Sequence, residues 1–306
     1  MMNPTIKKAL QDPYFACELV LNRLARFIDD EHFVRWKYYL NFRKKLDLDN
    51  PKTFNEKLQW LKLNDWHEEY TQMVDKYEAK KYVANLIGEE YIIPTLGVYD
   101  SFDEIDFDKL PNQFVLKCTH NSGGIIICRD KASLDVPKAR KQMTKWLKKN
   151  PFWTNREYPY KNVKPRIIAE QYMEDESGYE LKDYKFFCFS GDVKYVFVAT
   201  DRGKADEETK FDFFDMDWNH LPFTNGHPNN PGPISKPENF EEMKALACKL
   251  SKNMPHVRVD LYNISGKIYF GELTFYHWSG LTPFVPEKWD FEFGECITLV
   301  PHKNVS

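Results

Sequence analysis

At 306 residues the chain has room for one large domain, or two to three small ones, with a substantial buried core. A formal net charge of −3 from 43 Lys and Arg against 46 Asp and Glu gives no global electrostatic case for nucleic acid. No apolar run of about 18 residues occurs, the first residues MMNPTIKKALQDPYF carry no apolar signal core, and the six cysteines are scattered without a CxxC pair. A secreted or membrane-spanning protein is therefore not expected, and the thiols read as reduced in a cytoplasmic setting.

Residues up to about Asn50 read as helical, with Pro51 as a break. Phe15 to Ile28 is amphipathic, and His32 to Lys45 mixes Phe33, Trp36, Tyr38, Tyr39 and Phe42 with basic residues. A helical pair packed on the core is the default, and peripheral contact with a membrane or a lipid-linked substrate is the alternative. In PKTFNEKLQWLKLND, Thr53 and Glu56 have capping-box spacing. Asp75 to Ile87 predicts a helix capped by Asp75 and closed by Gly88, with Lys76 in its first turn. Tyr91 to Leu96 predicts an edge strand.

Phe114 to Asp130 holds two hydrophobic strands around the loop Thr119 to Gly124. Such a loop either turns an ordinary hairpin or folds the backbone N–H groups of Ser122, Gly123 and Gly124 over phosphate, with Lys117 adding a point charge. His120 reads as a satisfied loop histidine. Asp135 to Lys149 predicts an amphipathic helix. The aromatic loop FWTNREYPY follows, in which Arg156 and Glu157 face either substrate or packing. Ile167 to Met173 is a buried strand.

Asp183 to Thr200 is a clear hairpin around Ser190 to Asp192, projecting Lys185, and Arg202 closes it as a strand-end ion pair or an anion contact. Phe211 to Pro237 predicts a long irregular loop, and Phe240 to Leu250 a helix. In RVDLYNISGKIYFGELTFYHWSG, two strands meet at a Ser265-Gly266 turn, so antiparallel pairing can bring Asp260 and Glu272 together. Two carboxylates on adjacent strands suit Mg²⁺ that draws its other oxygens from phosphate and water; ordinary edge charges are the competing reading.

As a set, these stretches resemble the ATP-grasp ligases. The Arg-x-Asp of Arg258 and Asp260 is most like the D-alanine:D-alanine ligase branch, and PKTFNEKLQWLKLND resembles the front of the TupA-like ATP-grasp family. The resemblance implies an α+β ATP-grasp fold: two lobes with antiparallel sheets gripping the nucleotide, preceded by N-terminal helices. It divides the chain into a helical region at 1–70, a nucleotide and lid subdomain at 71–172, and a metal-bearing subdomain at 173–306. It further implies ATP and Mg²⁺ as cofactors, with Asp260, Glu272 and Thr274 as metal ligands, Thr274 standing where the family carries Asn. Arg258 takes the oxyanion role, with Lys185 and Arg202 beside it. Lys76, Lys117, Ser122, Gly123 and Gly124 are assigned to phosphate. Glu170, Gln171 and Tyr172 fall on the adenine hinge, and Glu180 or Asp183 on the ribose or the lid. Arg156, His277, Ser279 and Gly280 are assigned to substrate. The implied reaction is amide formation between a small-molecule amine and a sugar-acid carboxylate, free or lipid- or nucleotide-linked, of a capsule, teichuronic-type polymer or O-antigen. Two rivals stand: a glycosyltransferase using Asp215-Met216-Asp217 as a DxD metal site, and a catalytically silent subunit that keeps the fold.

Overall fold

The computed structural model describes residues 4–178, 181–202 and 208–300. The chain opens with three helices, α1 (Pro4–Gln11), α2 (Pro13–Leu24) and α3 (Asp30–Phe42). Asp12 caps α2 and Asp29 caps α3 through side-chain oxygens that accept orphan N–H groups. Then comes α4 (Phe54–Asn64), whose Thr53 and Glu56 form both halves of the expected capping box. Phe54 is fully buried, with its ring against Phe187, Phe284 and Phe293. Burial of one such side chain contributes about 1.5–3 kcal/mol.

A short helix that the sequence pattern did not separate, α5 (Glu68–Val74), precedes α6 (Glu78–Ile87). Asp75 lies between them, and its carboxylate accepts from the N–H groups of Tyr77 and Glu78, so α6 begins three residues later than expected. The edge strand also begins later, as β1 (Thr95–Tyr99), because Glu89–Tyr91 turns in a 3-10 helix. The hairpin strands β2 (Phe114–Cys118) and β3 (Ile125–Cys128) follow, then α7 (Val136–Leu147), α8 (Phe152–Asn155) and β4 (Ile167–Gln171). These strands form an antiparallel sheet of order β1-β4-β2-β3. Phe114, Leu116, Ile167 and Ala169 of this sheet pack with Ala139 and Met143 of α7 in a small core.

The larger core belongs to a second sheet. Its hairpin β5 (Asp183–Phe189) and β6 (Asp192–Thr200) turns where Ser190 and Gly191 take positive φ, 53° and 89°. β7 (Lys210–Asp215) extends the sheet inside the segment expected to be irregular. Burial of Phe211, Phe213 and Phe214 outweighs the turn-rich composition around them. The short β8 (Thr224–Asn225), the helix α9 (Phe240–Leu250), the hairpin β9 (Val257–Ile264) and β10 (Lys267–Thr274), β11 (Phe284–Val285) and α10 (Lys288–Glu295) complete the described chain. The sheet order is β10-β9-β5-β6-β7, all antiparallel. The sheet packs against α9, and α10 crosses α4 where Gly294 approaches the backbone of Lys52 and Phe54.

Candidate active site

Register builds the centre of the site. Across three neighbouring strands, Glu272 of β10 stands opposite Asp260 of β9, which stands opposite Lys185 of β5. The next rung opposes Thr274, Arg258 and Phe187. Side chains two apart on a strand share a face, so Asp183 and Lys185, Arg258 and Asp260, and Glu272 and Thr274 all project to one side. Arg258 embraces Asp260 through Nε at 2.7 Å and Nη2 at 2.8 Å. Its Nη2 also donates to Thr274 Oγ1 at 3.0 Å, and its Nη1 to Nδ1 of His277 at 2.6 Å. His277 is buried beside this guanidinium, and burial followed by the Arg258 charge holds its pKa well below the usual histidine value. The neutral ring is thus fixed with Nε2 toward Asn225 Oδ1, 2.8 Å away.

Four further ion pairs surround this centre. Lys185 bridges Asp260 and Asp183, Arg202 meets Asp183, and Lys76 reaches Glu272 at 3.1 Å. Burial works against the charged form of Glu272, but Lys76, Lys185 and Arg258 more than offset it, so its pKa falls far below the usual carboxylate value. Lys76 also donates to the carbonyl of Asn121 and its N–H to that of Thr119, tying α6 to the β2–β3 loop. Within that loop Ser122 and Gly123 line the cleft. Gly124 is buried beneath it: its carbonyl accepts from Cys118, and a Cβ there would meet Asn121 Oδ1 at 2.6 Å. His120 is buried with Nε2 at 2.9 Å from the Lys149 carbonyl.

Glu170 of β4 sits between two lysines, Lys117 at 2.6 Å and Lys80 at 2.5 Å. Burial opposes its ionisation, and the pair of cations lowers its pKa nonetheless. Lys80 of α6 was not singled out from the sequence, although it stands four residues after Lys76, which lies in the turn before that helix. The space around these groups is continuous. A cleft of about 640 Å³ runs over Lys76, Lys185, Arg258, Asp260, Glu272 and Thr274. A cavity of about 680 Å³, lined by Val115, Ile127, Glu170, Gln171, Tyr172 and Met173, adjoins it. The two share Lys117, Ile125, Arg202, Thr209 and Tyr262. Apolar strand faces beside a polar hinge suit a flat heteroaromatic base, and the cation-rich cleft suits its phosphates.

Asp183 sits with Lys185 and Arg202 at the cationic centre, and Arg202 also lines the hinge cavity. Three expectations need correction. Arg156 does not reach the cleft. It is 1% exposed, with Nη2 donating to the carbonyls of Ala25 and Ile28, Nε facing Asp30 at 2.6 Å, and the guanidinium over Phe33. Gly280 is buried against α4, where a Cβ would lie 2.5 Å from Gln59 Nε2, while Ser279 and His277 do line the cleft. Asp215, of the alternative DxD reading, spends its carboxylate on the turn, accepting from Asp217 and Asn219. Glu180 lies outside the described residues.

The donor set fits Mg²⁺. Asp260 and Glu272 are hard oxygen ligands held opposite one another, and among the described residues Oδ1 of buried Asp183 has no hydrogen-bond partner. No three His, Cys, Asp or Glu side chains among the described residues converge as a metal cage. A metal here therefore draws part of its shell from nucleotide oxygens and water.

This arrangement, a cation-lined cleft between two antiparallel sheets with paired carboxylates on adjacent strands, defines the ATP-grasp class of protein. The profile of the TupA-like ATP-grasp family matches residues 56–298, and the chain belongs to that family. Membership gives the class of enzyme, an ATP-grasp ligase that binds ATP. No curated protein matches the chain. Among solved structures, the chain is similar to the D-alanine–D-alanine ligase of Helicobacter pylori, at 14% identity and a TM-score of 0.45 over 82% of this chain and 68% of that one. The D-alanine–D-alanine ligase of Bacillus anthracis complexed with ATP aligns at 16% identity and a TM-score of 0.41, over 73% and 66%. The ATP-grasp ligase PsnB, complexed with minimal precursor, Mg and ADP, aligns at 11% identity and 0.39, over 72% and 57%. The chain thus spans about two thirds or less of these proteins' own lengths.

Proposed function

We propose that the chain is an ATP-dependent carboxylate–amine ligase that makes an amide through an acyl phosphate, on the carboxylate of a sugar acid such as a uronic acid in a cell-surface polysaccharide. The observation that carries this reading is charge. In three neighbouring groups of ion pairs, six cations (Lys76, Lys80, Lys117, Lys185, Arg202 and Arg258) face four carboxylates (Glu170, Asp183, Asp260 and Glu272). The two positive charges left over match the two negative charges of MgATP. Beyond them Trp278, exposed in the cleft wall, offers a ring face to a sugar.

Activation of a carboxylate suits such a site. Its negative charge repels nucleophiles, and phosphorylation removes both the charge and the poor leaving group. When bound, Mg²⁺ supplies charge neutralisation at the nucleotide phosphates. Lys117 and Lys76 hold the phosphates, Ser122 and Gly123 close over them against water, and Arg258 stabilises the oxyanion as the amine attacks. Partners are small molecules. No described helix is long and apolar enough to cross a membrane. A lipid-linked acceptor would bring the enzyme to the inner membrane face, and exposed Leu24, Phe27, Trp36 and Tyr39 supply apolar surface for that contact.

The test is a panel of uronic acids with MgATP and hydroxylamine, which traps an acyl phosphate as a hydroxamate. Release of ADP and phosphate with stoichiometric hydroxamate is expected for at least one acid. ATP consumption without hydroxamate, or transfer of sugar from a nucleotide-sugar, would refute the ligase.

A further inference from the structure

The cleft has a second end, away from the nucleotide cavity, and the chemistry there is the opposite of that at Arg258. Its wall is supplied by Glu18 of α2, Lys37 and Asn41 of α3, Asn155 at the end of α8 and Glu157 after it. The three from the N-terminal helices precede the family match, which begins at residue 56. The hydrogen-bond donors of this wall are already committed within the protein. Lys37 is nearly fully buried, and its ammonium contacts Asn22 Oδ1 at 2.9 Å, the Thr154 carbonyl at 2.7 Å and Glu18 at 3.1 Å. Lys62, behind the wall, donates to Gln59 Oε1 at 3.0 Å and to the Ser279 carbonyl and hydroxyl at 2.7 and 2.9 Å. The amide nitrogen of Asn41 donates to the Lys37 carbonyl, and that of Asn155 to Glu157.

Acceptor capacity is what remains for a ligand: Glu18, whose Oε1 faces Lys37, keeps a second oxygen, Glu157 keeps lone pairs beyond those taken by Asn155 and the Ser279 hydroxyl, and the amide oxygens of Asn41 and Asn155 add two more acceptors. An end lined by acceptors suits a group rich in N–H, whereas the cationic end suits phosphate and carboxylate. Glu157 is held for this. Arg156 takes left-handed backbone, φ 57°, and plunges its side chain into the N-terminal helices, which turns its two neighbours toward the cleft. Burial also raises the proton affinity of Glu157, with the nearby Lys62 charge acting in the opposite sense.

On the ligase reading above, we infer that this end is the amine subsite and that Glu157 is a catalytic residue that takes the proton of the incoming ammonium. The substrate it receives is a primary amine that is protonated in neutral solution. Glu157 removes one proton, and the nitrogen lone pair forms the C–N bond to the acyl carbon. The C–O bond to phosphate then breaks, and its electron pair leaves on inorganic phosphate. That phosphate takes the second nitrogen proton, and Glu157 returns its own to water.

Hydroxylamine separates this step from carboxylate activation, because it is largely neutral at pH 7 and needs no base. The comparison is Glu157→Gln against wild type, with MgATP, the uronic acid panel, and either hydroxylamine or a set of amino acids, amino sugars and diamines. Hydroxamate formation within about threefold of wild type, with amide formation down about 100-fold, is the expected result. A second variant, Glu18→Gln on partly exposed α2, is expected to raise KM for the amine about tenfold with kcat little changed. Equal loss of hydroxamate and amide in a folded Glu157→Gln protein would place the residue in activation, and unchanged amide formation would make it packing; either overturns the inference and leaves the ligase standing. A wild-type enzyme that makes hydroxamate but couples none of the amines would also overturn it. Absence of any hydroxamate with wild type removes the ligase reading and this inference together.

Discussion

Replacing Arg156 by methionine tests whether the structure or the sequence expectation describes that residue. The side chain is 1% exposed and serves the carbonyls of Ala25 and Ile28, the Asp30 carboxylate and the ring of Phe33. Methionine keeps much of the volume, so the cavity contribution is small. Two main-chain oxygens lose their donor, at about 1–3 kcal/mol each. The half-exposed Asp30 partner adds at most about 1 kcal/mol, because solvent screens it. The sum is about 2–7 kcal/mol, which for a chain of this size lowers Tm by roughly 10 °C at mid-range. Thermal unfolding followed by circular dichroism measures this directly, alongside MgATP affinity, which is expected to stay within twofold of wild type. A Tm within about 2 °C of wild type would refute the reasoning and return Arg156 to the list of ligand contacts.

For wild type at 100 times the MgATP dissociation constant, binding adds about 2.7 kcal/mol of apparent stability; Glu272→Gln is expected to lose the Mg²⁺-dependent part of the resulting thermal shift, and a full shift in the variant would remove Glu272 from the metal site. Lys117→Ala is expected to weaken ATP binding at least tenfold in a calorimetric titration, since it removes a phosphate cation and leaves Glu170 with Lys80 alone. The pH dependence has a defined sign. Folded-state pKa values of Glu170 and Glu272 lie below the ordinary 4.5, so their ion pairs contribute fully above that pH and are lost as pH falls through their depressed values. Tm measured from pH 6 to pH 3 should fall less steeply in Glu170→Gln than in wild type, and equal slopes would contradict the pairing. Gly294→Ala places a Cβ about 2.3 Å from the Lys52 carbonyl oxygen, and is expected to cost about 1–3 kcal/mol in a urea titration; a neutral result would show that α4 and α10 can separate freely.

The nucleotide half of the site was legible because its signals are local. Positive-φ turns at Ser190-Gly191 and Ser265-Gly266 fix two hairpins, and period-two alternation then assigns Lys185, Asp260 and Glu272 to one face. Arg156 was misread because an arginine among aromatics in a loop reads as exposed, while its partners are carbonyls more than 120 residues away that no pattern encodes. β7 was hidden by the Asn, Pro and Gly residues that follow it. Lys80 was visible four residues from Lys76, but nothing in the sequence showed that Glu170 would close on it.

The tethers between distant parts of this chain share one economy. Lys37 grips the carbonyl of Thr154, Arg156 those of Ala25 and Ile28, Lys57 those of Gly294 and Ile297, and Lys62 and Gln59 that of Ser279. Each clasp reads main chain, which every residue carries whatever its side chain. The accepting segments are therefore free to change in sequence without loosening the joint. The helices that carry Glu18 and Asn41 are held in part this way, by Arg156 on the carbonyls of Ala25 and Ile28, and the far wall of the cleft keeps its place with them.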